Sequence, residues 1–531
     1  MSVSPSPPPA ASPSADLARP AGPGRGRARL LDPLAVAVLA AVVSGAWAAK
    51  PSLWFDEGAT ISAAASRTLP QLWELLTHVD AVHGLYYLVM HGWFSVFPAT
   101  EFWSRVPSIL AVGAAAAGVV VFARQFCDRT TALCAGAVFA ILPRVTWAGI
   151  EARSYALSAA AAVWLTVLFA GAVRSGRVRL WVAYALALMV SVLVSLNMVL
   201  LVAVHAAILP AVADQVAPGA SRKRPIKGLL AATAVALAAL TPFVAIAHKQ
   251  VWQVRWISGL HRNLFLDVVH RQYFDHSNAF AIAAGALLVA AVVARLTGHS
   301  RSDAGADRLL RAGALWVVIP TAAVLVYSAL GEPVYYPRYL IFTAPAAAIV
   351  LAVAITSVCG EPRQVAGVVL LLAVAAFPGY YFIQRGPYAK EGWDYSQVAD
   401  VISAHAAPGD CLLVDNTVRW RPGPIRALLA TRPASFRALI DVERGVYGPE
   451  VAHLWDGHVA VWLTTAKINT CTTLWTITGR NSQLPDHQVG RSLAPGSAFA
   501  RAPVYRFPGY LGFHIVERWQ FHYSQVVKST R

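Results

Sequence analysis

Apolar residues in this chain gather in long runs rather than alternating with polar ones. The runs fall near 33–49, 84–97, 106–123, 130–148, 154–173, 180–195, 197–213, 228–247, 279–296, 312–330, 338–357 and 364–383. About 20 apolar residues suffice for a helix to cross the hydrocarbon core of a bilayer. The run at 84–97 is short and holds His91, Trp93 and two tyrosines, so it is expected on the membrane surface rather than across it.

Basic residues arbitrate the topology. They cluster in the N-terminal tail and at Arg124/Arg129, Arg174/Arg177/Arg179, Arg222/Lys223/Arg224/Lys227, Arg301/Arg308/Arg311 and Arg363. With 84–97 on the surface, every cluster falls on the cytoplasmic side, as positive residues prefer. About eleven spans result, with the N-terminus inside and the C-terminus outside. The outer side then receives 50–105, 149–153, 248–278, 331–337 and everything after 384, a set rich in Trp, Tyr, Asp, Glu and His. A site is expected to face outward.

The pattern changes after the last run. A helix-like stretch from Asp394 to His405 precedes strand-like runs at Cys411–Val414, Val459–Leu463 and Phe513–Val516. That mixture predicts a small α/β domain. The expected division is a basic, disordered cytoplasmic tail at 1–32, a helical membrane domain at 33–383 and an extracytoplasmic α/β domain at 384–531. No convincing small-residue cleavage site follows the tail, so 33–49 is expected as a retained helix rather than a cleaved signal. No glycine-rich phosphate loop follows the first strand, and no internal repeat is visible.

Composition agrees. The chain has 531 residues, 57% hydrophobic and only 13% charged, where soluble domains carry roughly 25% charged residues. The net charge of +17 sits in loops between apolar runs, which suits a membrane better than nucleic acid. Of five cysteines, Cys411 and Cys471 fall in the outer domain. An oxidising exterior permits a bridge between them, and two buried thiols are the other reading.

Candidate chemistry lies in the outer loops. Asp56 and Glu57 follow the first span directly, where ionisable groups tend to mark a site. The bland reading is a helix cap at Asp56 with Glu57 in the first turn. The chemical reading is a general base and a cation or hydroxyl ligand. Asp80 and His83, three apart, would share a face of a helix and suit a cation with Glu57, or phosphate; the plainer reading is an interfacial helix start with a polar cap. Arg105 either snorkels to headgroups or meets an anion. Glu151 and Arg153 close the 149–153 loop, with a structural ion pair as the plain alternative. Arg338, in Tyr335-Tyr336-Pro337-Arg338-Tyr339, suits bidentate phosphate binding. The basic, aromatic stretch 248–278, with Trp252, Trp256, His261 and Arg262, suits either a cover over a sugar phosphate or an amphipathic helix on lipid.

The segments LWFDEGAT (53–60), DAVHGLYYLVMHGW (80–93), EFWSRVPSILAVG (101–113), EARSYAL (151–157) and PRYLIF (337–342) occur in the order seen in C-type (GT-C) membrane glycosyltransferases. The chain resembles the protein O-mannosyltransferase and aminoarabinose-transferase branch over roughly 33–383. One departure is His83-Gly84-Leu85, where relatives often carry His-Pro-Pro. The resemblance implies a polyprenyl-phosphate sugar donor, transfer with inversion, and Asp56 as the catalytic base. It implies Arg105, Arg153, Arg338 and His83 at the donor phosphate. It implies Glu57, Tyr86, Tyr87, Tyr155 and Tyr336 at substrate, and a divalent cation (Mg or Mn) on Glu57 and Asp80 as in some relatives. Tail, composition and layout resemble actinobacterial members that build cell-wall lipoglycans from decaprenyl-phosphate mannose or arabinose. The expected partners are therefore polyprenyl-phosphate-mannose, a glycan acceptor such as the arabinan termini of lipoarabinomannan, and membrane lipid, with no nucleic acid. Trp393, Trp420, Trp455 and Trp462 are candidate platforms for the acceptor, with core burial as the alternative. Arabinofuranosyl transfer is the neighbouring possibility. A transporter is a different class, and the absence of an inverted repeat speaks against it. A glycan-binding scaffold is a third, and it predicts that Asp56 is dispensable.

Overall fold

In lipid, backbone N–H and C=O groups find partners only within a helix or a closed barrel, so apolar runs of this length fold as helices. The computed structural model describes residues 23–214, 222–257, 259, 263–417, 425–496 and 502–531. Helix α1 (Pro23–Gly45) is followed by three short helices, α2 (Phe55–Ala65), α3 (Leu69–His78) and α4 (Gly84–Phe94). Next come α5 (Glu101–Ala123), α6 (Arg129–Ile141) with its continuation α7 (Pro143–Ala148), α8 (Tyr155–Ser175), α9 (Val178–Val194), α10 (Leu201–Ala213) and α11 (Lys223–Lys249). Two short pieces, α12 (Leu264–Leu266) and α13 (Gln272–Phe274), lead to α14 (Asn278–Leu296), α15 (Ala304–Leu330), α16 (Ala344–Val358) and α17 (Pro362–Pro378).

Among the described residues, 8 helical segments are long and apolar enough to cross a membrane, and Leu30–Gly45, Arg129–Ile141 and Val178–Val194 are shorter apolar helices. Together they match the runs expected to span. Helix α4 has 11 residues, about 16 Å of helix, and is too short to cross. Helix α1 starts at Pro23, ahead of the boundary expected at residue 33. Most of the expected tail, 1–22, lies outside the described residues.

Small residues set how closely the helices approach, as they do where lipid supplies no hydrophobic drive between helices. A Cβ on Gly113 of α5 would stand 2.9 Å from the Ala37 carbonyl of α1. One on Gly136 of α6 would stand 2.5 Å from Val120. With Gly118 of α5 against Val163 of α8, these contacts draw α1, α5, α6 and α8 into one buried cluster.

That domain contains α18 (Tyr395–His405), β1 (Cys411–Val414), α19 (Arg426–Thr431), β2 (Ile440–Asp441), β3 (Thr473–Gly479), β4 (His487–Leu493), β5 (His514–Gln520) and β6 (Ser524–Thr530). The sheet order is β2-β1-β3-β6-β5-β4, with β1 parallel to β2 and β3 and the other pairs antiparallel. All four residues of β1 are buried, as a strand covered on both faces requires. Val398 and Ile402 of α18 pack with Leu412, Val414, Trp475 and Ile477 on one face. Cys411, Leu413, Leu474 and Phe513 form the other.

The helix and the strands at 411 and 514 stand where the sequence placed them. The strand expected at Val459–Leu463 does not form. β2 occupies that edge with only 2 residues, so the neighbouring chain makes a single bridge, Arg444 to His458, and then curls into a 3-10 turn at Val461–Leu463. Cys411 and Cys471 are bridged, with Cα atoms 5.9 Å apart, which settles the open alternative in favour of the disulfide.

Alkylating the unfolded, unreduced protein should therefore label three cysteines, Cys127, Cys134 and Cys359, and reduction should raise the count to all five. Labelling of more than three before reduction contradicts the bridge.

Candidate active site

Residue Trp54 is extended, and α2 begins at Phe55. Asp56 and Glu57 therefore both lie in the first helical turn, where the positive end of the helix favours carboxylates. The expected cap at Asp56 is not formed. Adjacent helical residues point about 100° apart, and the two carboxylates meet different surroundings.

Glu57 is fully buried against Arg105 of α5. Arg105 Nε donates to Glu57 Oε1 (2.8 Å) and Nη2 donates to Oε2 (2.7 Å). Nη1 donates to the carbonyls of Ala48 and Pro51, and Nη2 also to that of Ser52. The Ala152 N–H donates to Glu57 Oε1 (3.1 Å). Every N–H of this guanidinium is thus committed, so Arg105 neither snorkels nor has a donor left for phosphate. The same bonds remove Glu57 from the expected substrate and cation ligands. This pair anchors the segment entering α2 and the loop that holds Arg153.

Asp56 faces two arginines instead. Arg338 Nη2 lies 3.1 Å from Asp56 Oδ2, and Arg153 Nη2 lies 3.6 Å from Oδ1. All three side chains are nearly buried. Arg153 Nη1 donates to the Tyr87 hydroxyl (2.8 Å), which donates to Asp80 Oδ2 (2.7 Å). Asp80 sits in the left-handed region, φ 58°, where its backbone N–H meets Gln253 of the segment after α11. Burial pushes the Asp80 carboxyl up, against the pull of Arg153 and Tyr87. Asp80 and Tyr87 thus orient Arg153. Among the described residues no three His, Cys, Asp or Glu side chains converge as metal ligands, and of the expected pair Glu57 is bound by Arg105 and Asp80 by Tyr87.

Aromatic rings enclose the other guanidinium. Arg338 Cζ lies 4.7 Å from the Tyr336 ring centre, 5.2 Å from Trp54 and 6.0 Å from Tyr155. Tyr155 stacks on Tyr339, and Tyr336 meets Trp256 edge-on at 5.1 Å. The 248–278 stretch thus reaches the site through Trp256, while His261 and Arg262 lie outside the described residues. Tyr336, Tyr339 and Trp256 are partly exposed, so the site opens on their side. Arg153 Nε, Arg338 Nε and His83 Nδ1 are buried without a hydrogen-bond partner. Burial first, and then the Arg153 charge, hold His83 down at about 3. It is neutral at physiological pH and can meet an anion only through an N–H. Tyr86 is packed with Leu72, Leu75 and Met90 in a core, which removes it from the expected substrate contacts.

The sequence did not point to Lys390 or Glu391, in the linker after α17. Lys390 Nζ pairs with Glu151 at 2.5 Å, both buried, and Glu151 also accepts from the Trp54 indole. Burial pushes the Glu151 carboxyl up and the Lys390 ammonium down, and each charge opposes the other's shift. The ion pair suspected at Glu151 is real, but its partner is not Arg153. Lys390 also stands 5.0 Å from the Trp147 ring, and its residue type and place in the linker signalled neither contact.

The α/β domain buttresses α2. Trp455 packs on Phe55 (5.4 Å), and the Leu454 carbonyl accepts from Ser62. A Cβ on Gly58 would lie 2.9 Å from Thr431 of α19. Glu101 accepts from Ser396 and pairs with Arg432. Trp393 is buried in the domain core, Trp462 is exposed, and Trp420 lies outside the described residues.

Because it leaves a buried charge alone, Glu57→Gln or Arg105→Leu should destabilise the protein by about 3–5 kcal/mol. Arg105→Lys should not rescue, since an ammonium cannot make the forked bonds. Thermal unfolding of the purified protein checks this, and unchanged melting would contradict the structural role.

No family model matches the chain, and no curated protein sequence matches it significantly. Solved structures do. ArnT from Cupriavidus metallidurans bound to undecaprenyl phosphate is 12% identical, with a TM-score of 0.52 over 96% of this chain and 98% of that one. The apo state of the same protein gives 12% and 0.51 over 95% and 98%. The likeness runs the length of both chains and concerns architecture, and it agrees with the membrane helices and terminal sheet described above. The chain has the polytopic GT-C fold, completed by a C-terminal α/β domain.

Proposed function

We propose that this protein is an inverting glycosyltransferase that moves mannose from polyprenyl-phosphate-mannose to a hydroxyl of an extracytoplasmic glycan, the arabinan termini of lipoarabinomannan. One observation carries the reading: a buried carboxylate, Asp56, set between two arginines whose Nε groups lack partners. Buried donors without acceptors are costly, and a phosphate would satisfy them. The shared fold adds weight, since the ArnT structure holds undecaprenyl phosphate. Mannose and the arabinan rest on the sequence resemblance to the transferase that begins the mannose caps of mycobacterial lipoarabinomannan. The basic loops support placing the α/β domain outside the cell membrane and the N-terminus inside.

In the proposed step Asp56 takes the proton of the acceptor hydroxyl, whose oxygen attacks the anomeric carbon from the face opposite the phosphate. The bond from that carbon to the phosphate oxygen breaks, and its electron pair leaves with the polyprenyl phosphate. Arg153 and Arg338 receive the growing negative charge, already oriented and shielded from water. Tyr155 and Tyr336 shape the donor side around Arg338. Tyr87 acts through Arg153.

Membranes carrying the wild type should transfer radiolabelled mannose from decaprenyl-phosphate-mannose to an arabinan acceptor. Asp56→Asn should lower the rate by about 10²–10⁴-fold at equal protein level. Equal transfer by both proteins contradicts the assignment. Transfer of arabinose instead, from decaprenyl-phosphate-arabinose, keeps the step and replaces the sugar. Arg338→Lys should raise the donor KM about tenfold or more, as loss of a charged hydrogen-bond donor implies.

A further inference from the structure

We propose that Glu391 is a displaceable counter-ion to Arg338 that speeds release of the polyprenyl phosphate product, an inference that rests on the reaction proposed above. Glu391 Oε1 lies 3.3 Å from Arg338 Nη1, whereas Asp56 meets Nη2. Arg338 is nearly buried, whereas the Glu391 side chain is 56% exposed. The carboxylate therefore reaches the guanidinium from the open side, where a ligand arrives.

The backbone is built to hold it there. Glu391 has φ 53° and Gly392 φ 87°, two consecutive residues in the left-handed region. For a residue with a Cβ that conformation costs on the order of 1–2 kcal/mol, and such strain gathers at functional positions. The segment is pinned on both flanks. Lys390 is locked into Glu151, and the Gly392 carbonyl meets the His522 ring. Asp394 accepts from the backbone of Tyr523 and Ser524 at the β5–β6 turn. The α/β domain and the membrane domain together fix the stretch from Lys390 to Asp394, and within it only the Glu391 side chain is exposed.

The charges explain why a carboxylate is useful there. The donor is a phosphodiester with one negative charge. The product is a monoester carrying about −1.5 to −2 at neutral pH. Two buried arginines therefore hold the product more tightly than the donor, and release becomes the difficult step. Glu391 competes for Arg338 Nη1 and repels the more highly charged species more strongly. It takes up the guanidinium again as the product leaves. It makes no contact with Asp56 and takes no part in the proton transfer.

Binding of undecaprenyl phosphate to the detergent-solubilised full-length protein tests this, beside product inhibition of transfer. Glu391→Gln keeps the shape of an exposed side chain and removes its charge. It should tighten undecaprenyl phosphate roughly two- to fivefold, as a half-exposed ion pair allows. The product inhibition constant should fall more than the donor KM, and kcat should fall. Glu391→Asp should stay near wild type, and high salt should shrink the difference because the Glu391 carboxylate is open to solvent. Equal or weaker binding by Glu391→Gln overturns the proposal while leaving the reaction intact. Failure of the wild type to bind undecaprenyl phosphate removes the reaction itself, and the role of Glu391 with it.

Discussion

The buried ion pair between Glu57 and Arg105 is the interaction on which the rest of the site depends. Both groups are without solvent, so neither tolerates loss of the other. The fork of Arg105 gathers three backbone carbonyls between Ala48 and Ser52 and sets the direction in which α2 starts. Through Ala152 the same carboxylate fixes the loop that carries Arg153. With Glu57 turned inward, the next residue back, Asp56, is turned toward Arg153 and Arg338. Two neighbouring acids thus divide the work: one orders the backbone and the other faces the two arginines.

A second tier keeps the two arginines in place. Arg153 is steered by Tyr87 and Asp80, and Arg338 by a cage of Trp54, Tyr155 and Tyr336. Neither arrangement is local in sequence. The α/β domain joins in through Trp455 and Thr431 against α2, and through Lys390 against Glu151. Domain and membrane helices form one support for a small polar centre, so damage to the sheet domain would disturb Asp56 without touching it.

Much of this was legible beforehand. Apolar run length and the placement of basic residues separated the short helix α4 from the spans, because bilayer thickness and loop charge are simple constraints. Asp56 and Arg338 stood out by residue type and position at the membrane boundary, Arg153 only through the family resemblance, and the structure brings the three together. What remained hidden was pairing. Residue type cannot show that Arg105 is spent on Glu57, or that Glu151 is answered by Lys390 more than two hundred residues away. Tyr86 and Tyr87 are neighbours with different fates, since one helical step turns Tyr86 into the core while the Tyr87 hydroxyl bridges Asp80 and Arg153. The run at Val459–Leu463 had strand composition but no edge long enough to pair with.

In the proposed reaction Asp56, Arg153 and Arg338 form the phosphate-facing centre, and Glu57 and Arg105 do not. The most direct measurement is an experimental structure of the protein with undecaprenyl phosphate bound. The account predicts phosphate oxygens within hydrogen-bond distance of Arg153 and Arg338, beside Asp56, with the Glu57–Arg105 fork unchanged. A phosphate seated away from both arginines, or one that opens the Glu57–Arg105 pair to reach Arg105, would contradict it.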